Sequence, residues 1–281
     1  MKFASFNHDG SSRWGMVVGD EIVDLTDLSG HATLRAALAA GDLGRFASGA
    51  ANAPRLALDK VSLMPVISDA EKVLCIGTNY ASHLAETGRE APAYPLVFTR
   101  FADTQVGHGQ PIVVPRESEQ LDYEGEIAVI IGKEGRRIAA ENAYDHVAGY
   151  SIYNDGSVRD WQWHTHQFTP GKNFPGTGGF GPWLVTPDEV GDPRQMRLVT
   201  RLNGQVMQES VLSDLVYDVP ALVAYCSSFT TLRPGDVIVT GTTGGVGAFR
   251  NPKIWMKPGD VVEVEVSGIG TLRNPVVADN S

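Results

Sequence analysis

Glu124 and Glu126 stand two apart in Leu121-Asp122-Tyr123-Glu124-Gly125-Glu126, just ahead of the apolar run Ile127-Ala128-Val129-Ile130-Ile131 that Gly132 closes. A β-branched run bounded by glycine reads as a buried strand, and on a strand residues two apart share a face. Two carboxylates held that close repel one another and resist joint ionisation. A hard divalent cation removes the penalty, because Mg²⁺ and Ca²⁺ prefer oxygen ligands. Asp155 follows a second apolar run, His146 to Tyr153, and would complete a facial set of three with positions left open for a substrate. An isolated Glu-x-Glu is ordinarily a solvated strand end, so the weight falls on what else the chain carries.

His83 and Glu86 lie in Gly77-Thr78-Asn79-Tyr80-Ala81-Ser82-His83-Leu84-Ala85-Glu86, directly after the apolar stretch Lys72–Ile76. Three apart on a helix, they share a face. A carboxylate beside an imidazole fixes its tautomer and raises its basicity, which suits the pair to take a proton from water. A surface ion pair has the same spacing. Arg159 and Gln162 follow Asp155 by four and seven residues, so a helix starting after Asp155 would bring them to one side. Lys172, in Pro170-Gly171-Lys172-Asn173, reads as a lone loop cation. Near a carboxylate–metal cluster it could bind an enolate oxygen or orient a water. Each of these three could equally be a solvent-facing polar residue. The turn Val239-Thr240-Gly241-Thr242-Thr243-Gly244-Gly245-Val246-Gly247 offers backbone N–H groups to an anion, or forms a tight hairpin.

Two patterns mislead. Gly176-Thr177-Gly178-Gly179-Phe180-Gly181 matches a dinucleotide fingerprint letter by letter, but it runs into the strand-like Pro182-Trp183-Leu184-Val185 where the fingerprint requires a helix. His164-Thr165-His166 could ligate a metal, but with no further His or Cys at ligand spacing a surface helix lined by His and indole is the better reading.

The elements that must position these groups are mostly strands. Short strands are expected at Lys2–Phe6, Gly15–Val18 and Glu21–Leu25, helix over residues 32–48 with a break at Gly41-Asp42, and a strand at Val61–Leu63. Residues 1–65 thus read as a small α+β lobe. The strand over residues 72–77 opens the larger part, residues 70–281, which ends in strands at Asp236–Thr240, Asp260–Val266 and Leu272–Val277. A helix is expected at residues 213–227, with Pro220 near its start. The chain of 281 residues is long enough for a full core, and its 31 Gly and 16 Pro fit a β-rich fold with many turns. A net charge of −10 argues against a nucleic-acid or anionic-membrane surface. It leaves room for an anionic substrate, because a local cation can invert the field in a pocket. Cys75 and Cys226 sit in apolar contexts and read as reduced thiols of a cytoplasmic protein. No window has the length of a transmembrane helix, and the first residues lack the apolar core of a signal peptide.

Taken together the segments resemble the fumarylacetoacetate hydrolase family over about residues 70–278. The likeness rests on Asn79–Glu86, Asp122-Tyr123-Glu124-Gly125-Glu126, Asn154-Asp155, Gly171-Lys172, Gly181–Thr186, Thr240-Gly241-Thr242 and Pro258-Gly259-Asp260. It implies a mixed α+β, β-rich fold, a β-roll or β-sandwich of packed sheets with a smaller N-terminal lobe, assembled as a homodimer. It implies Mg²⁺ or Mn²⁺, with Ca²⁺ as a further option, on Glu124, Glu126 and Asp155. It also implies that His83 and Glu86 lie on a lid that orders over substrate and activates water. With Lys172 these two form the expected catalytic set, and Tyr80, Arg159, Gln162 and Thr242 are the expected substrate contacts. The sequence departs from the family at Asn173–Gly179, at Thr243 and at Thr78, positions expected to border the substrate. The implied activity is metal-dependent hydrolysis of a C–C bond in an acylpyruvate such as fumarylpyruvate or maleylpyruvate, giving pyruvate and a carboxylic acid in aromatic-compound catabolism. The alternatives on the same enolate-stabilising site are oxaloacetate decarboxylation or tautomerisation, and isomerisation or dehydration of a 2-oxo acid. A non-catalytic, metal-dependent carboxylate-binding protein is the rival from another class.

Overall fold

The strand Gly125–Ile131 is buried along its whole length, and this dictates the architecture. Apolar side chains on both faces need cover on both sides. In the computed structural model, which describes residues 1–41, 43–88 and 90–280, the strand lies inside a 12-stranded mixed sheet. Its neighbours are Val147–Asp155, antiparallel, and Val237–Val239, also antiparallel. The sheet continues on one side through Gly178–Val185 to the N-terminal strands Lys2–His8, Ser11–Val18, Glu21–Asp24 and Arg55–Ala57. On the other side it continues through Val73–Gly77, parallel to Val237–Val239, to Leu96–Arg100. A second sheet of five strands, Gln205–Val211, Arg197–Leu202, Val261–Val266, Gly270–Ala278 and Ile112–Val114, packs on one face.

The period-2 alternation divides the core. Ile127, Val129 and Ile131 pack with Leu198, Val264 and Leu272 of the second sheet and with Leu222, Val223 and Cys226 of the helix Val219–Phe229. Ala128 and Ile130 face the other way, toward Phe3, Trp14, Leu34 and Phe180. The strands of residues 1–65 are therefore hydrogen-bonded into the main sheet, Lys2 opposite Val185, and share its core.

The strands expected from sequence form, with ends shifted by a few residues. The expected helix over residues 32–48 is two helices, Leu34–Ala40 and Leu43–Gly49; Asp42, part of the expected break, lies outside the described residues. The helix expected at residues 213–227 runs instead from Val219 to Phe229, because the Asp218 side chain accepts from the Ala221 amide and Pro220 sits in the first turn. His164, Thr165 and His166 form exposed bends rather than the expected surface helix. Cys75 and Cys226 are both free and buried. Among the described residues no helix is long and apolar enough to cross a membrane.

Candidate active site

The strand register assembles the carboxylates. Gly125 pairs with Asn154, so Asp155 falls beside Glu124, and the Asp155 amide donates to the Glu124 carbonyl at 2.8 Å. Glu126, one pleat along, projects from the same face. Oxygens of Glu124, Glu126 and Asp155 come within 4.8 Å of one another, and all three residues are buried.

Lys172 closes this cluster. It is not the loop cation expected from sequence but ends the short helical turn Thr169–Lys172, 1% exposed. Its ammonium donates to Glu124 Oε2 at 2.7 Å and to Asp155 Oδ2 at 2.6 Å. Nor is it alone. Arg159 pairs with the other Glu124 oxygen at 2.6 Å and with Asp122 Oδ2 at 2.8 Å, and Arg100 donates to Asp155 Oδ1 at 2.8 Å. Sequence reasoning did not single out Arg100 or Asp122. Arg100 ends the strand Leu96–Arg100, and only the sheet order brings it to Asp155, 55 residues away.

The charges do not balance evenly. Burial pushes the Glu124 carboxyl up, but Arg159 and Lys172 outweigh it and hold the group at about 2. Glu126 goes the other way. Burial and then the facing Asp155 and Glu124 carboxylates push it well above the ordinary range. Among the described residues its carboxylate takes one hydrogen bond, from the Gly241 amide at 2.6 Å, and has no cationic side chain within ion-pairing distance. A buried carboxylate without a counter-charge is costly. With Glu124 and Asp155 it makes three converging hard oxygen donors, which fit a divalent cation of the Mg²⁺, Mn²⁺ or Ca²⁺ kind that would supply the missing charge.

His83 stands across the cleft. The helix Ala81–Thr87 ends at Gly88, whose φ of 65° is a left-handed cap that suits glycine. His83 Nδ1 lies 3.1 Å from Glu86 Oε2. Glu86 Oε1 accepts from the Gly245 amide at 2.9 Å, so the orienting carboxylate is itself held. With Nδ1 carrying the proton toward Glu86, Nε2 is left as a base. The ring packs edge-on against Phe249, centroids 5.9 Å apart.

The glycine-rich turn after Val239 is neither a tight hairpin nor an empty anion nest. Its amides hold the protein's own carboxylates: Gly241 on Glu126, Gly245 on Glu86, Gly247 and Ala248 on Asp122. One loop thereby ties a candidate metal ligand, the partner of His83 and the anchor of Arg159. Thr242 hydrogen-bonds to the Gly125 carbonyl at 3.0 Å and accepts from Gln208 at 2.8 Å.

These groups line a narrow cleft that His83, Glu124, Glu126, Arg159, Gln162, Lys172 and Thr242 share with Ile76, Phe98, Phe168 and Phe249. Arg159 and Gln162 come to one side as expected, joined at 2.9 Å, although a short strand at Ser157–Val158 precedes their helical turn. Tyr80 is the exception. It is 1% exposed, outside the cleft wall, and its hydroxyl has no hydrogen-bond partner among the described residues. Of the departures from the family pattern, Thr78 does line the cleft, at a φ of 52° that is costly for a β-branched residue and marks a constrained position. Thr243 instead bonds Ser82 of the His83 helix at 2.8 Å, and Thr177 holds Arg100 at 2.7 Å.

A family model described as fumarylacetoacetate (FAA) hydrolase C-terminal matches residues 72–277. The mitochondrial oxaloacetate tautomerase fahd2 of Xenopus laevis is 43% identical over 224 residues, 79% of this chain and 70% of that protein. Among solved structures, the fumarylacetoacetate hydrolase of psychrophilic Exiguobacterium antarcticum is 37% identical with a TM-score of 0.86, covering 99% of this chain and all of that one. The maleylpyruvate hydrolase of Sphingobium sp. SYK-6, in complex with manganese(II) and pyruvate, is 29% identical with a TM-score of 0.84 over the whole of both chains.

Proposed function

The chain belongs to the fumarylacetoacetate hydrolase family of enzymes, and we propose that within it this protein is a divalent-metal-dependent oxaloacetate tautomerase, interconverting the enol and keto forms of a small 2-oxo diacid. One juxtaposition carries the reading: an imidazole oriented by Glu86 lines the same narrow cleft as three converging carboxylates. The 43% identity to a named oxaloacetate tautomerase supports this reaction over C–C hydrolysis. Tautomerisation needs a base that can also return a proton, and it needs no attacking water.

The chain's own groups divide the work. Glu124, Glu126 and Asp155 would hold the cation, Mg²⁺ or Mn²⁺. A bound divalent cation supplies Lewis-acid stabilisation of the negative charge that collects on the 2-oxo oxygen. Lys172 adds positive charge at the same place. Arg159 and Gln162 orient the substrate's carboxylate, and Phe98, Phe168 and Phe249 exclude bulk water. His83 Nε2 takes the enol hydroxyl proton and returns a proton to C3. One O–H bond breaks, one C–H bond forms, and nothing is oxidised.

The structural likeness to a maleylpyruvate hydrolase supports a second reading, cleavage of an acylpyruvate with water activated by His83. The test mixes enzyme with freshly dissolved enol oxaloacetate and follows the loss of enol absorbance, with pyruvate and CO₂ assayed in parallel. We expect accelerated enol loss without stoichiometric pyruvate, abolished by a chelator and restored by Mg²⁺ or Mn²⁺. Cleavage of acylpyruvates with no effect on enol decay would favour the hydrolase, and full activity in a verified metal-free preparation would remove the metal from the reading.

A further inference from the structure

The Asp155 carboxylate has two oxygens in two settings. Oδ2 faces Lys172 and the other carboxylates, while Oδ1 is turned away and accepts from Arg100 Nη1 at 2.8 Å. The same Nη1 donates to the Gly156 carbonyl at 2.9 Å, and Nη2 donates to Thr177 Oγ1 at 2.7 Å. Thr177 in turn donates to the Phe174 carbonyl at 2.7 Å, which fixes its hydroxyl as an acceptor for Arg100. The Arg100 side chain is fully buried. A Cβ on Gly178 would lie 2.3 Å from Gln105 Oε1 and 3.0 Å from Arg100 Cζ, and one on Gly156 would lie 2.1 Å from the Thr177 carbonyl oxygen. At Gly156 the contact is with backbone and leaves no room for a side chain; at Gly178 a side chain would press on Gln105 and Arg100.

From this geometry we infer that Arg100 is a positioning residue of the metal centre: clamped by Thr177 and Gly156, it pins Asp155 Oδ1 and so presents Oδ2 to the cation. A planar guanidinium held on both of its terminal nitrogens aims one N–H at Asp155 Oδ1 along a fixed line, which a point charge on a flexible stem does not. Charge alone cannot be its contribution to metal binding, because a guanidinium beside the site repels a divalent cation. Its benefit must come from orientation, in the way outer hydrogen bonds aim metal ligands. The inference rests on the metal-site reading above.

The test is Mn²⁺ binding, followed by titration calorimetry and by the electron paramagnetic signal of the free ion, on wild type, Arg100→Lys and Thr177→Val, each checked for fold by circular dichroism. Arg100→Lys keeps the charge and loses the fork, and should weaken Mn²⁺ binding about 10- to 100-fold. Thr177→Val keeps Arg100 and loosens its clamp, and should weaken binding in the same direction by less. A folded Arg100→Lys with wild-type Mn²⁺ affinity overturns the inference and leaves the metal site standing. If Arg100→Lys does not fold, Thr177→Val decides: wild-type affinity overturns the inference, weakened affinity supports it. Absence of Mn²⁺ binding by wild type overturns the metal site and the inference together.

Discussion

His83 and Glu126 are the residues on which the proposed chemistry turns, and each gives a measurement. His83→Ala should still bind Mn²⁺, since the ring is not among the converging oxygen donors, yet enol oxaloacetate turnover should fall by roughly 10²- to 10⁴-fold, the usual cost of a lost acid–base group. Glu86→Gln should fall less, because the amide can still orient the ring. Wild-type rates in His83→Ala would move the proton transfer elsewhere in the cleft. Glu126 bears on metal uptake. Its carboxyl is raised well above the 4.5 of a free glutamate, so in the metal-free fold it keeps its proton at pH values where a free side chain has lost it. A cation must displace that proton. Mn²⁺ affinity should therefore rise with pH through the raised pKa, and binding below it should release a proton. Calorimetry in two buffers of different ionisation heat measures this directly, and identical heats would contradict it.

At the scale of elements, the loop from Thr240 to Arg250 is tied to the short antiparallel pair of Leu121–Asp122 and Ser157–Val158, with Asp122 as the joint between them. It is fully buried, pairs with Arg159 and accepts from the Gly247 and Ala248 amides. Asp122→Asn leaves the guanidinium under-compensated and aims an NH₂ group at donors. The expected loss is about 3–5 kcal/mol in urea unfolding, as for a broken buried pair, with a raised KM as Arg159 loses its anchor. A urea midpoint equal to that of wild type would show that the loop holds without it.

At the scale of the whole molecule, the described surface carries an aromatic cluster that a monomer would leave wet. Tyr94 stacks on Tyr225 and Phe229 packs edge-on against the same ring, while Tyr94 and Phe229 are 71% and 52% exposed. A cluster of that kind favours burial against a second copy. We expect light scattering at micromolar concentration to give twice the 30.2 kDa chain mass, and Phe229→Lys to shift it toward the monomer. A wild-type monomer mass would count against the homodimer.

The sequence alone determined the parts whose signal is local. The Glu124–Glu126 spacing, the apolar run after it and the His83–Glu86 spacing each follow from a 2.0 or 3.6 periodicity, and each reappears in the structure as a shared face. The motif order also identified the family, because several short patterns in sequence are specific where one is not. What the sequence left open is whatever depends on which distant strand lies alongside. Lys172, read as a loop cation, is a buried counter-ion because a helical turn places it against Glu124 and Asp155. The glycine-rich turn spends its amides on Glu86, Asp122 and Glu126, a use that exists only once the strand Val237–Val239 lies beside Gly125–Ile131. Arg100 carried no signal at all, since a lone arginine at a strand end is ordinary until sheet order sets it on Asp155. Spacing along the chain specifies a face; pairing between strands, through register and burial, decides which faces meet and which charges must compensate one another.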